Sequence, residues 1–263
     1  MTGLKNSALE RLRADELALG VGVRVVPGVE IAKMMRACGY DWLFIDMEHG
    51  YFSLETTVQI AHAALDTGIA TIVRVPTAQW GMASRALDGG ASGILLPHVD
   101  TAEDARTAVH HLRFPPVGHR ATLGGMPQYD YDHVPQKRVA EEVNAATLIA
   151  VMIESPLGVA NADAIAATEG VDVLFVGIND LAAEMSAGDI EDPKVVEAVA
   201  AVAAAAQRHG KWSGVGGISN EDSMRRYIGM GMRFMHLGND FGFMMAAAKD
   251  RAGRIRGAAR GAS

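Results

Sequence analysis

The sequence predicts an α/β protein built as a (β/α)8 TIM barrel, and three observations carry that expectation. Eight short apolar or β-branched runs recur along the chain, separated by Ala/Leu/Met-rich stretches whose apolar residues return at helical spacing. The runs are continuously apolar rather than alternating, as strands buried on both faces of a parallel sheet require. The 263 residues suit one barrel, for which ~250 is typical, and no change of composition marks a domain boundary within 1–263. A doubly wound open sheet is the rival; it differs in strand order, which a sequence does not display.

Taken in order, the first run is Val21–Pro27, with a helix expected over Val29–Ala37. Trp42–Asp46 is followed by Leu54–Asp66, Thr71–Val75 by Trp80–Leu87, and Gly93–Pro97 by Ala102–Leu112. Arg113–Gln136, rich in Pro, Gly, Tyr and His, breaks the rhythm. A long irregular insertion in a compact domain suggests function or a subunit contact, so acceptor contacts are expected from loops, this segment among them, and from residues of a neighbouring subunit. The remaining strands are Leu148–Ile153, Val173–Val176, Trp212–Val215 and Phe234–Leu237, with a helix over Val195–Arg208. Helical packing from Glu221 onward would complete the ring, and the Arg/Gly/Ala tail from Ala252 to Ser263 is expected to fray or dock on a neighbour.

Composition narrows the function. With 49% hydrophobic and 21% charged residues the chain can bury a full core. A net charge of -7 disfavours nucleic-acid partners, which demand clustered Lys and Arg. The single cysteine, Cys38, excludes an intrachain disulfide and a multi-Cys zinc site, and is expected as buried packing. The longest apolar run, Val195–Ala206, contains Glu197 and falls far short of the ~20 residues that cross a bilayer. Met1–Asp15 has no apolar signal-peptide core, so no membrane association and a cytoplasmic location are expected.

Barrel enzymes place their chemistry on the loops after the strands, and these loops hold ionisable residues. They include Asp46, Glu48 and His49 after the second run, Arg74 in the third, His98 after the fourth and Glu154 after the fifth. Asp180 follows the sixth, glycines the seventh, and Gly238-Asn239-Asp240 the eighth. Glu154 and Asp180 end adjacent strands and would repel unless a proton or cation lay between them. A hard divalent ion such as Mg²⁺ fits, because it accepts one or two carboxylates and keeps waters. The alternative is that Asp180 caps the following helix. Arg74 within Thr-Ile-Val-Arg-Val needs a carboxylate or an anionic ligand; an ion pair with Asp46 or Glu48 would meet that need without any catalytic role. His49 suits a general base, since histidine titrates near neutral pH, although a lone histidine there is often structural. Lys5, Lys33, Lys137, Lys194, Lys211 and Lys249 all fall away from the expected barrel mouth, which disfavours a Schiff-base aldolase.

Several stretches together resemble the metal-dependent class II pyruvate aldolases of the 4-hydroxy-2-oxoheptanedioate and 2-dehydro-3-deoxyglucarate aldolase family. They are GYDWLFIDMEHG from Gly39 to Gly50, Val73–Pro76, Leu87–Pro97, Arg113–Arg120, Ile153–Ser155 and Gly170–Leu181. The resemblance implies a barrel whose C-terminal helices exchange between the subunits of a homohexamer, and a divalent cofactor, Mg²⁺, Mn²⁺ or Co²⁺. It implies Glu154 and Asp180 as metal ligands, with Asp46 and Glu48 holding the metal's waters. His49 paired with Asp88 would move protons, Arg74 would stabilise an enolate oxygen, and the backbone of Gly177, Ile178 and Asn179 would receive the donor's carboxylate. The implied reaction makes or cleaves a C–C bond between a 2-oxo acid, pyruvate or hydroxypyruvate, and an aldehyde. A related lyase or mutase acting on an acyl-CoA or phosphoenolpyruvate-like substrate is the alternative. Two positions depart from the family pattern near the donor: Met152 replaces a frequent Gln, and Gly177-Ile178-Asn179-Asp180 replaces Gly-Pro-Ser/Ala-Asp.

Overall fold

The computed structural model describes residues 4–261. Its strands are β1 (Ala18–Val23), β2 (Trp42–Asp46), β3 (Ala70–Arg74), β4 (Gly93–Leu96), β5 (Leu148–Ile153), β6 (Val173–Gly177), β7 (Trp212–Gly216) and β8 (Phe234–Asn239). They form one closed barrel in sequence order, every neighbouring pair parallel, with β8 closing on β1. This is the predicted (β/α)8 TIM barrel.

The unbroken apolar runs are explained by two cores of opposite parity. Trp42, Phe44, Ile72, Ala150, Met152, Phe175 and Phe234 point into the barrel. The intervening Leu43, Ile45, Val73, Ile149, Val151, Leu174 and Val176 pack outward beneath the helices. Inside, Trp42 stacks on Phe234 at 4.0 Å and fills the place of a side chain at Gly20, where a Cβ would lie 2.1 Å from the indole. Ala8, Leu9 and Leu12 of the helix Ser7–Arg13 join this inner cluster, so the filled barrel has depth for a site toward its other end.

Three expectations are corrected. The first strand ends at Val23, and Val25 and Val26 belong to a loop: the N–H groups of Arg24, Val25 and Val26 donate to the Asp240 carboxylate at 3.1, 3.0 and 2.9 Å instead of joining the ladder. Asp240 therefore ties β1 to the end of β8. Cys38 is exposed, not packed. The Arg113–Gln136 segment packs its own small core, Phe114 and Met126 against Val139 and Val143 of the helix Gln136–Ala146, and within its own chain none of its residues lines the pocket described below.

The helix Glu221–Gly229 fills its place in the ring. The final helix, Asp240–Gly261, continues through the tail that was expected to fray or to dock on a neighbour, the last two residues lying outside the described range. It leaves Phe241, Phe243, Met244, Met245 and Ile255 exposed. No helix among the described residues is long and apolar enough to cross a membrane.

Candidate active site

β2 and β3 place Asp46 opposite Arg74 at the C-terminal rim of the barrel. Arg74 Nε donates to Asp46 Oδ1 at 3.0 Å and Nη2 to Oδ2 at 2.7 Å, a two-pronged bond that matches the guanidinium fork to the carboxylate. Its Nη1 lies 3.2 Å from Glu48 Oε2, and Phe44 supports the guanidinium from 5.2 Å. The ion pair considered as the alternative role of Arg74 is thus made, with both carboxylates. Asp46 Oδ1 also accepts the N–H groups of Glu48 and His49 at 3.1 Å each. Gly50 permits this tight turn, since a Cβ there would lie 2.0 Å from the Asp46 carbonyl oxygen. Burial would raise the Asp46 carboxyl, but the Arg74 bonds and charge and the two backbone donors outweigh it and hold the group below the usual range.

His49 stands at the mouth with its side chain 60% exposed and Nε2 3.8 Å from Glu48 Oε2. Asp88 does not meet it within the chain. It ends the helix Trp80–Asp88, which returns to the start of β4 at the opposite end of the barrel, and there it accepts from Arg120 Nη2 at 2.6 Å.

β5 and β6 build the other wall. Glu154 is 2% exposed, and its Oε1 takes the His98 N–H at 2.8 Å, with His98 Nδ1 at 3.1 Å. His98 thus orients Glu154. Oε2 faces Gly177, where a Cβ would approach to 2.7 Å, and it has no hydrogen-bond partner among the described residues. Burial raises the Glu154 carboxyl, His98 opposes this, and Asp180 adds to it. Asp180 is the third residue of the helix Ile178–Glu184, is exposed, and makes no side-chain cap. The capping alternative is not realised. Of the proposed donor-binding residues, Ile178 turns its side chain into the outer core, leaving its backbone to face the site, while Asn179 lies beside Gly217.

These walls enclose a pocket of ≈220 Å³ lined by Asp46, His49, Arg74, Gly177, Ile178, Asn179 and Asp180, with Glu154 against Gly177. Larger clefts of ≈510 and ≈600 Å³ occur elsewhere, but they lack this convergence of carboxylates and arginine. Among the described residues no group of three or more His, Cys, Asp or Glu could hold a metal. A closed protein cage is therefore absent there, whereas two carboxylates with free oxygens fit a hard divalent ion that completes its shell with water and substrate.

Two pocket residues escaped the sequence reading. Arg24, just beyond β1, lines the pocket with its Nε 3.8 Å from Asp46 Oδ2. His236 lies within β8 and lines the floor. Both are ionisable residues inside apolar runs, the signal that singled out Arg74.

The fold agrees with what the chain resembles. The family description HpcH/HpaI aldolase/citrate lyase matches residues 8–247. A 4-hydroxy-4-methyl-2-oxoglutarate aldolase of Hapsidospora irregularis is 37% identical over 97% of this chain and 96% of its own. A 5-keto-4-deoxy-D-glucarate aldolase of Klebsiella pneumoniae is 37% identical over 84% of this chain and 85% of its own. The crystal structure of an HpcH/HpaI aldolase from Desulfitobacterium hafniense superposes with a TM-score of 0.89 at 26% identity, covering 94% of this chain and 96% of that one. With the fold, the matched span and the named aldolases in accord, the chain belongs to the HpcH/HpaI aldolase/citrate lyase family and is a carbon–carbon lyase of the aldolase type.

Proposed function

We propose that this enzyme is a divalent-cation-dependent class II aldolase that joins or cleaves a 2-oxo acid donor, pyruvate or hydroxypyruvate, and an aldehyde. The observation that carries the reading is the meeting of two carboxylates with free oxygens, Glu154 and Asp180, with an anchored arginine around one pocket. The names of the two aldolase relatives support a 4-hydroxy-2-oxo or keto-deoxy acid as the compound made or cleaved.

Glu154 and Asp180 would hold the cation, Mg²⁺, Mn²⁺ or Co²⁺, with Asp46 and Glu48 placed to hold waters beside it. Bound there, it would supply Lewis acidity toward the donor's keto oxygen. Arg74, fixed by Asp46, offers positive charge where negative charge develops on that oxygen as a C3 proton leaves. The backbone of Gly177, Ile178 and Asn179 would receive the donor's carboxylate. His49, anchored through its backbone to Asp46, would move the proton at the mouth. Since Asp88 faces Arg120 in its own chain, a His49–Asp88 pair requires Asp88 from a neighbouring subunit; its side chain is 30% exposed. The exposed apolar residues of Asp240–Gly261 support helix exchange in a homohexamer. A cytoplasmic site of action accords with these small-molecule substrates. The acyl-CoA or phosphoenolpyruvate alternative has less support, because the matched relatives are aldolases over most of their length.

The test is exchange of the C3 protons of pyruvate and hydroxypyruvate in D₂O, followed by NMR with chelator-stripped enzyme before and after adding Mg²⁺, Mn²⁺ or Co²⁺. Cation-restored exchange is expected. Its absence with both donors and every ion would overturn the reading.

A further inference from the structure

Beneath the charged rim the pocket floor is made of Phe44, Met152 and Phe175, and one polar side chain interrupts it, His236 of β8. The neighbouring strands set glycines against this ring. On β1, a Cβ at Gly22 would lie 3.0 Å from His236 Nε2; on β7, a Cβ at Gly216 would lie 3.3 Å from His236 Cβ. Phe44 meets the ring edge-on at 5.2 Å and 73°. Nε2 is enclosed and has no hydrogen-bond partner. Nδ1 also bonds to nothing among the described residues but is not enclosed, and the ring keeps surface on the pocket side.

An orphaned N–H is costlier to bury than an orphaned lone pair, so Nε2 carries the lone pair and Nδ1 the proton. Burial, reinforced by Arg74 and Arg24 and opposed by Asp46, pulls the imidazole down to about 4, so it is uncharged at neutral pH. An uncharged N–H in an apolar floor has little to offer an anion already served by the arginines above, and it is wasted on a methyl group. Its complement is a neutral oxygen.

We propose that His236 is a specificity-determining residue, presenting a neutral imidazole N–H to a hydroxyl on the part of the substrate that reaches the pocket floor. The inference rests on the aldolase reading and deepens it by naming a feature of the substrate. The hydroxyl belongs either to the donor at C3 or to the aldehyde, and two matched pairs separate these sources. Hydroxypyruvate against pyruvate varies the donor; glycolaldehyde against propionaldehyde exchanges a hydroxyl for a methyl on the acceptor.

A site built to bond a hydroxyl rejects the deoxy analogue because its own polar group is then left unpaired. The wild-type enzyme is therefore expected to favour the hydroxylated member of one pair, in kcat/KM, by about 10- to 100-fold. His236→Phe keeps the ring's bulk and removes both nitrogens, and should cut that preference by about tenfold or more. His236→Asn places an amide N–H near the position of Nδ1 and should recover part of it. A purely structural histidine would lower kcat/KM for both members of a pair alike and leave the ratio unmoved. An unmoved ratio, or a wild-type enzyme indifferent within both pairs, overturns the proposal. Donor C3 exchange by the wild-type enzyme, run beside it without aldehyde, shows separately whether the aldolase reading stands.

Discussion

Asp46 and Glu154 are both carboxylates at the C-terminal ends of barrel strands, 1% and 2% exposed, and the protein treats them in opposite ways. Asp46 faces a two-pronged arginine and two backbone donors, and its carboxyl is held below the usual range. Glu154 has one oxygen on His98 and the other facing Gly177 unbonded, beside Asp180, and burial raises it. Equal burial with unequal partners gives opposite shifts. The β2–β3 side is electrostatically complete without a ligand, whereas the β5–β6 side holds more negative charge than its neighbours balance. The first holds a cationic side chain still; the second leaves a buried carboxylate oxygen unbonded beside another carboxylate, which is the feature that supports the proposed cation there.

The largest effects should come from removing one charge on each side. Glu154→Gln and Asp180→Asn keep the shape of the site but weaken its hold on a cation, and donor exchange should fall by at least about 10²-fold. Stability should hold or rise in both, because a like-charge contact is relieved. Arg74→Met should also abolish exchange, yet it takes the two-pronged partner from buried Asp46 and leaves it two backbone donors and the more distant Arg24, at a cost of up to about 3 kcal/mol. Thermal unfolding of the three variants sharpens the comparison. Equal destabilisation of Glu154→Gln and Arg74→Met would break it.

The pH dependence follows with opposite signs. A depressed carboxyl such as Asp46 contributes stability that is present above its unfolded pKa and lost as pH falls. A raised one such as Glu154 costs stability as pH rises past its unfolded pKa. His236 adds to the acid side. The unfolded chain takes its proton near 6.5 while the folded one resists until about 4, so stability drains as pH falls between those values. The loss approaches about 3 kcal/mol at full effect. In His236→Phe the acid limb of Tm against pH should flatten across that window. A limb as steep as the wild type's across that window would mean that the folded chain does not hold His236 uncharged; the loss owed to Asp46 belongs at lower pH, below its ordinary carboxylate range.

The barrel was legible in the sequence because the parity of buried strands writes itself as unbroken apolar runs, and the runs at Trp42–Asp46 and Leu148–Ile153 coincide with β2 and β5. The first strand was misplaced because Val25 and Val26 look like strand residues; their N–H groups go to Asp240, more than 200 positions away, and no local pattern announces that. The same distance hid Asp240's role, since as a strand-end acid it read as part of the reactive ring. Glu154 and Asp180 were readable from their place after adjacent strands, and Arg74 from its apolar surroundings. Asp88 entered through resemblance alone, and its contact with Arg120 shows what one chain provides. Arg24 and His236 were missed although they carry the signal that revealed Arg74. For His236 the context lies in Gly22 and Gly216, whose missing side chains leave room beside the ring, and a glycine in a strand reads first as backbone freedom.

The gentlest probe of the contrast adds a charge instead of deleting one. A ligand that binds the folded chain alone stabilises it by about 2.7 kcal/mol at a hundred times its Kd. Mn²⁺ or Mg²⁺ added to chelator-stripped protein, without substrate, should raise Tm by a few degrees through Glu154 and Asp180. Glu154→Gln should lose most of that rise. In an Arg74→Met background the absolute Tm is lower, but a rise should persist, because the carboxylates proposed to take the cation lie on the other wall. A rise abolished by Arg74→Met and kept by Glu154→Gln would put the cation on Asp46 and Glu48, and the complete and incomplete sides of the pocket would have to be exchanged.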